Sequence, residues 1–195
     1  MSEFRFIRYL EDYDVARLVL SRPPLAIEEH LGTGVKEMLE GFHDLFHRLR
    51  ALECVTLAAV HGATLGQPEI KVGVFPPIAA LHYPRRIGLG RTLSLLLSGE
   101  VIGAAEAERI GLVDKVVPAD RLADAVESQL ARFRAQSTAV LRLTKRAVIE
   151  AAGMPFDAGL AALEDLYRYE LMATEDAAEG LRAFLEKRKP VWRDR

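Results

Sequence analysis

Strand-like patterns in this chain are confined to the first 75 residues, and helical patterns fill almost all of the remainder. Apolar residues alternate in two short runs within residues 4–20, which predicts a β-hairpin that ends at Pro23-Pro24. A run of β-branched and other apolar residues, Val55 to Val60, predicts a buried strand. The segment between these strands is long enough for a parallel crossover, so the pattern predicts an α/β or α+β fold with a small sheet.

The predicted crossover is a helix from Gly34 to Leu52, where apolar residues recur at steps of three and four. His43 and His47 lie four residues apart on this helix, so they could share a metal ion. No third candidate ligand follows at a spacing typical of metal sites, whereas zinc sites use three or four protein ligands. Two ordinary histidines at the edge of the core explain the pair better than a metal site does, and we predict no metal.

Helical segments follow one another after residue 77, and their ends carry recognisable signals. Gly111 suits the C-terminal end of a short helix that begins at Ala104. Asp120, Ser137 and Thr174 are candidate N-caps for three later helices. The apolar face predicted for the last helix includes the residues Leu181, Phe184 and Leu185.

Composition excludes several classes of function. The chain has 195 residues, of which half are hydrophobic, and its net charge is −2, so bulk charge does not favour nucleic acid. Cys54 is the only cysteine, which rules out an intrachain disulfide and is compatible with the cytoplasm. No apolar run reaches the length of a membrane span, and the first residues lack the pattern of a signal peptide.

Glu69 is the candidate catalytic residue. A loop of small residues up to Gly66 leads into Gln67-Pro68-Glu69, and apolar residues from Ile70 to Phe75 follow. A carboxyl group in apolar surroundings can exchange a proton near neutral pH, as a general acid or base must. The alternative is an exposed turn with Glu69 in water, which is the common situation of glutamate.

Three longer segments resemble the crotonase superfamily of enoyl-CoA hydratases and isomerases. The three are GQPEIKVGVFPP, RRIGLGRTLSLLLSGEVIGAAEAERIGLVDKVVP and FLEKRKPVW, and the similarity extends over residues 53–195. The run IEEHLGTGVKEMLEGFHDLFHRL and the run VFPPIAAL lean toward the cyclohexa-1,5-diene-carbonyl-CoA (dienoyl-CoA) hydratases within that superfamily.

The resemblance implies an α/β, crotonase-like ββα spiral core in residues 1–120 and a helical oligomerisation region in residues 121–195. It implies an enzyme, a hydro-lyase that adds water to an α,β-unsaturated acyl-CoA, with an isomerase as the alternative. Glu69 matches the family's acid/base, while Phe184 and Lys187 match residues near the CoA end. A cation near a phosphate is physically reasonable, although Lys187 could be a plain helix-end charge and Phe184 plain packing.

The resemblance also implies a cytoplasmic trimer or dimer of trimers that takes acyl-CoA as substrate. It implies no separate cofactor, no nucleic acid and no membrane. Backbone N–H groups stabilise the enolate in such enzymes.

Two family segments have no counterpart in this sequence, near residues 25–27 and 65–67. In the family they carry the oxyanion donors and a second carboxylate. Either the protein contains further segments at these points, or the deletions are real and leave a catalytically impaired, oligomerising subunit.

Overall fold

The computed structural model describes residues 7–12, 15–20 and 63–194, together with Glu40, Asp44 and His47. Its Cα positions divide into two compact units, with the boundary between residues 52 and 53. The predicted division into residues 1–120 and 121–195 stays a prediction. The first unit contains an antiparallel hairpin of β1 (Ile7–Asp12) and β2 (Val15–Leu20), which confirms the predicted strand pair.

Only part of the predicted crossover falls within the described residues. Glu40, Asp44 and His47 are helical, in agreement with the helix predicted for residues 34–52. His43 and the strand predicted for residues 55–60 lie outside the described residues.

The described part of the second unit, from residue 63, starts with a short ladder that the sequence did not indicate. β3 (Thr64–Gly66) pairs antiparallel with β4 (Val101–Gly103), and Gly66 lies opposite Val101. The prediction of a loop up to Gly66 was therefore wrong, because the partner strand comes from a distant part of the chain. Between the two strands lie a 3₁₀ helix (Pro68–Val72), α1 (Pro77–Ile87) and α2 (Leu89–Ser98).

The remainder of the second unit is helical, as predicted. After β4 come α3 (Ala104–Arg109), α4 (Leu122–Arg134), α5 (Thr138–Ala151), α6 (Phe156–Asp165), a π-helical turn (Leu166–Leu171) and α7 (Glu175–Leu185).

Two of the three predicted caps are confirmed. The hydroxyl of Ser137 accepts a hydrogen bond from the N–H of Val140 at 3.2 Å. The hydroxyl of Thr174 accepts one from Ala177 at 3.1 Å. Asp120 does not cap α4, because it lies inside a 3₁₀ turn that ends at Arg121.

Alanine is the most frequent residue in the core of the described part. The buried apolar residues are Ala79, Ala107, Ala139 and Ala183, together with Ile87 and Ile102. By contrast, Phe184 and Leu185 are each 80% exposed and Leu181 is 55% exposed. The apolar face predicted for this helix is therefore exposed in the single chain. Within the described residues, no helix combines the length and apolar character needed to cross a bilayer.

Candidate active site

The β3–β4 ladder fixes the start of the segment that carries Glu69. Gly66 faces the backbone of Glu100 so closely that a Cβ atom at this position would lie 2.8 Å from the carbonyl oxygen of Glu100. Real Cβ atoms do not approach backbone atoms to that distance, so glycine allows the two strands to meet here. The chain then passes through Gln67 directly into the 3₁₀ helix.

Backbone hydrogen bonds hold the 3₁₀ helix in a defined conformation. Pro68 stands in its first turn, where its missing N–H costs nothing. At the other end, Gly73 has a φ of +81° and its N–H donates to the carbonyl of Ile70 at 3.1 Å. The N–H of Val74 donates to the carbonyl of Glu69 at 3.2 Å. The backbone on both sides of Glu69 is therefore fixed.

The 3₁₀ helix packs against the C-terminal end of α2. Gly99, with a φ of +62°, ends α2, and a Cβ atom there would lie 2.8 Å from Cγ2 of Ile70. The side-chain amide of Gln67, the residue before the 3₁₀ helix, donates a long hydrogen bond of 3.5 Å to the hydroxyl of Tyr83 on α1. The segment that carries Glu69 thus contacts both helices.

The Glu69 side chain is half-buried, and one of its oxygens has an unusual environment. Oε2 is buried and has no hydrogen-bond partner within the described part of the chain. Buried carboxylate oxygens normally accept hydrogen bonds, so an unpaired one calls for an explanation such as a catalytic role. The apolar residues that follow do not enclose it, since Val72 and Phe75 are 67% and 69% exposed. The predicted apolar surroundings are therefore only partly present in the single chain.

Phe184 and Lys187, the other predicted site residues, lie together at the C-terminal end of α7. Phe184 is on the last turn of the helix, and Lys187 follows it with a left-handed φ of +55°. The N–H of Lys187 donates to the carbonyl of Phe184 at 3.2 Å, and the N–H of Arg188 donates to that of Ala183 at 3.0 Å. This is a Schellman-type helix end. Glu69 is carried by a separate segment, whose contacts are with α2, whereas α7 contacts α5.

The sequence did not predict that the end of the chain returns to α7. Asp176, which is 1% exposed, accepts hydrogen bonds from the N–H groups of Arg193 at 2.7 Å and Asp194 at 2.9 Å. Burial alone would raise the pKa of Asp176, but the hydrogen bonds from Ser137, Arg193 and Asp194 outweigh it and the pKa is lowered. Asp194 in turn accepts from the N–H of Thr138 at 2.7 Å.

A second acidic residue, one turn along α7, binds the same returning segment. Arg188 donates to both carboxylate oxygens of Glu179, at 2.6 and 2.9 Å, and the N–H of Val191 donates to Oε1 at 2.9 Å. The hydrogen bonds from Arg188 and Val191 lower the pKa of Glu179 to about 2. The same pairing raises the pKa of Arg188. In sequence, these acids look like ordinary surface residues of an amphipathic helix.

Within the part of the chain that the structure describes, no group of three or more histidine, cysteine, aspartate or glutamate side chains is arranged to hold a metal ion. His47 belongs to that part and His43 does not.

Comparison with known proteins gives consistent results. A family profile described as "Enoyl-CoA hydratase/isomerase" matches residues 59–195. The cyclohexa-1,5-dienecarbonyl-CoA hydratase of Thauera aromatica is 35% identical over 194 aligned positions, which cover 87% of this chain and 74% of that protein. A probable enoyl-CoA hydratase of Mycobacterium bovis is 39% identical over 146 residues, 74% of this chain and 56% of that protein. The chain spans just over half the length of several curated relatives that it matches.

Solved structures give the same result for the fold. An enoyl-CoA hydratase from Bacillus anthracis superposes with a TM-score of 0.63 and 31% identity, over 68% of this chain and 52% of that one. "Enoyl-CoA Hydrates Subunit I", in its "Other Form" from Geobacillus kaustophilus, superposes with a TM-score of 0.85 and 25% identity over 100% of both chains. These likenesses confirm the predicted crotonase-like fold.

Proposed function

The chain belongs to the enoyl-CoA hydratase/isomerase family, and from this premise we propose that it adds water to the double bond of an α,β-unsaturated acyl-CoA thioester. Its likeness to the Thauera aromatica enzyme, which extends over 87% of the chain, favours a cyclic dienoyl-CoA as the substrate.

The observation that carries the proposal is the unpaired Oε2 of Glu69. Its lone pairs are not used by any hydrogen bond within the described residues, and the turn that presents it is held at both ends. In hydration, the carboxylate accepts a proton from water while the water oxygen bonds to the β-carbon. The resulting acid then delivers a proton to the α-carbon of the enolate-like intermediate, which restores the carboxylate. One carboxyl group can therefore serve both steps.

Replacement of Glu69 by glutamine tests this assignment. Gln is nearly isosteric, so the fold and the affinity for acyl-CoA should be retained, whereas proton transfer is lost. We expect kcat for crotonyl-CoA and for cyclohexadiene-carbonyl-CoA to fall at least about 10²-fold with little change in KM. Glu100→Gln is the matched control, because Glu100 is a nearby exposed glutamate and should keep full activity.

Retention of more than about a tenth of the wild-type kcat by Glu69→Gln would end the catalytic assignment. Circular dichroism and size-exclusion chromatography of each variant separate a lost proton shuttle from a lost fold.

An isomerase is the second candidate, because a single carboxylate such as Glu69 can also move a proton between two carbons of the substrate. The product mass distinguishes the two reactions, since only hydration adds water.

The third candidate is a catalytically impaired subunit. The direct passage from β3 through Gln67 into the 3₁₀ helix favours it, since the family's oxyanion and second-carboxylate segments have no place there. This candidate predicts assembly without turnover of either thioester, whereas the hydratase candidate predicts both assembly and turnover.

We infer a homo-oligomer, a trimer or dimer of trimers, from the exposure of large apolar residues on the C-terminal helices. Phe156 is 79% exposed and Tyr169 is 72% exposed, in addition to Phe184 and Leu185 at 80% each. Exposed apolar surface of this kind marks sites of association. Size-exclusion chromatography with light scattering measures the subunit number, and a monomer at micromolar concentration would contradict the inference. In the oligomer, the proposed contacts of the CoA moiety are Phe184 and Lys187, at the C-terminal end of α7.

A further inference from the structure

Lys187 has a backbone conformation that its residue type does not favour. Its φ is +55°, in the left-handed region that suits glycine, because a Cβ atom crowds the following carbonyl oxygen there. A lysine remains in this region only when the neighbouring structure holds it. The conformation of this turn therefore sets the direction in which the side chain of Lys187 leaves the backbone.

The two backbone hydrogen bonds of the helix end hold this conformation, and the side chain of Arg188 adds a second restraint on the same turn. Its guanidinium group makes a two-pronged contact with Glu179, which lies two turns earlier on α7. It also donates to the carboxylate of Glu186 at 2.6 Å, on the other side of Lys187. Two-pronged contacts between arginine and a carboxylate fix the direction of both groups as well as their distance.

The Glu179 side chain is well suited to this role because it is only 18% exposed and is shared with the N–H of Val191. The turn of residues 186–191 is consequently attached to α7 by the side chain of Glu179, in addition to the backbone hydrogen bonds of the helix end. We propose that Glu179, through Arg188, positions Lys187 to bind the negatively charged nucleotide end of the CoA thioester. This inference rests on the proposed function, since it assumes that Lys187 faces the CoA moiety.

The test compares two substrates that differ only at the charged end, crotonyl-CoA and crotonyl-pantetheine, the latter lacking the nucleotide. For Glu179→Gln we expect KM for crotonyl-CoA to rise roughly three- to tenfold, the range of a partly exposed ion pair, with kcat nearly unchanged. KM for crotonyl-pantetheine should not change. Glu106→Gln is the matched control, because Glu106 forms an equally short two-pronged pair with Arg109 on α3. It should leave both substrates unaffected.

A double-mutant cycle identifies Lys187 as the residue through which Glu179 acts. Lys187→Ala should raise KM for crotonyl-CoA by a similar factor, and Glu179→Gln should add almost nothing in that background. Additive effects, an equal rise for both substrates, or no rise at all would each overturn the positioning role.

Failure of the proposed function is detected separately. If the wild-type protein turns over neither thioester, calorimetric titration with free CoA replaces the kinetic measurement. Weaker CoA binding by Glu179→Gln and Lys187→Ala, with no weakening by Glu106→Gln, would support the positioning role without hydratase activity. Absence of CoA binding, or equal binding by all variants, would refute it.

Discussion

Replacement of Asp176 by alanine is the most informative test of how the C-terminal residues are held. The carboxylate is fully buried and accepts hydrogen bonds from two backbone N–H groups, those of Arg193 and Asp194. It also interacts with the hydroxyl of Ser137, which caps α5. Alanine removes all three hydrogen bonds and so weakens the attachment of residues 193 and 194 to α7.

The expected loss follows from these contacts. A hydrogen bond to a charged group is worth about 1.5–3 kcal/mol, but Arg193 and Asp194 are exposed, so their N–H groups regain water when the carboxylate is removed. We therefore expect the free energy of unfolding to fall by about 2–4 kcal/mol, which is less than the simple sum of three such bonds. For a chain of this length, that corresponds to a decrease in Tm of roughly 5–15 °C.

Urea unfolding followed by circular dichroism measures the loss. The protein concentration must be constant, because assembly makes the apparent stability depend on it. Asp124→Ala is the control, since Asp124 is an exposed aspartate that pairs with Arg121 at 3.1 Å, and its loss should cost less than about 0.5 kcal/mol. If Asp176→Ala lost no more stability than this control, the hydrogen bonds to Asp176 would not be what holds the chain end.

Three further predictions concern other contacts. Gly66→Ala should lower the free energy of unfolding by about 1–3 kcal/mol in urea, because its Cβ atom would meet the backbone of Glu100 at 2.8 Å; an unchanged stability would contradict the close approach of the two strands. Ser137→Ala should cost about 1 kcal/mol through the lost cap, and its effect should not add to that of Asp176→Ala, which a double-mutant cycle measures. Glu179, whose pKa is lowered to about 2, should stabilise the protein fully above about pH 4.5 and progressively less as pH falls toward 2. Glu179→Gln should therefore flatten the acid limb of a curve of stability against pH. Parallel curves for the variant and the wild-type protein would refute this.

Local signals in the sequence were sufficient to predict the helical half of the fold. Ser137 and Thr174 are found at the caps where their hydroxyl groups predicted them, because capping depends on residues three apart along the chain. Gly99 and Gly111 likewise have positive φ at helix ends. Asp120 failed as a cap because it lies within a 3₁₀ turn that precedes the helix.

Contacts between distant residues could not be predicted in the same way. The pairing of Leu65 with Ile102 and the return of Trp192, whose indole N–H donates to the carbonyl of Ala135 at 3.0 Å, depend on the folded chain and leave no periodic pattern. Glu69 was identified through family resemblance, since a lone glutamate after proline has no distinguishing local signal. The exposure of Phe184 likewise was not predictable. The apolar periodicity of its helix is the same whether another helix of the chain or another subunit covers that face.

The hydrogen bond between Thr138 and Asp194 provides a local reporter of whether residues near 194 are docked. Thr138 is the first residue of α5, and amides at this position have no acceptor within their own helix. Its N–H is satisfied instead by a carboxylate 56 residues further along the chain. The exchange of this single amide hydrogen with deuterium should therefore follow the undocking of the chain end, while amides in the middle of α5 follow the opening of the helix itself.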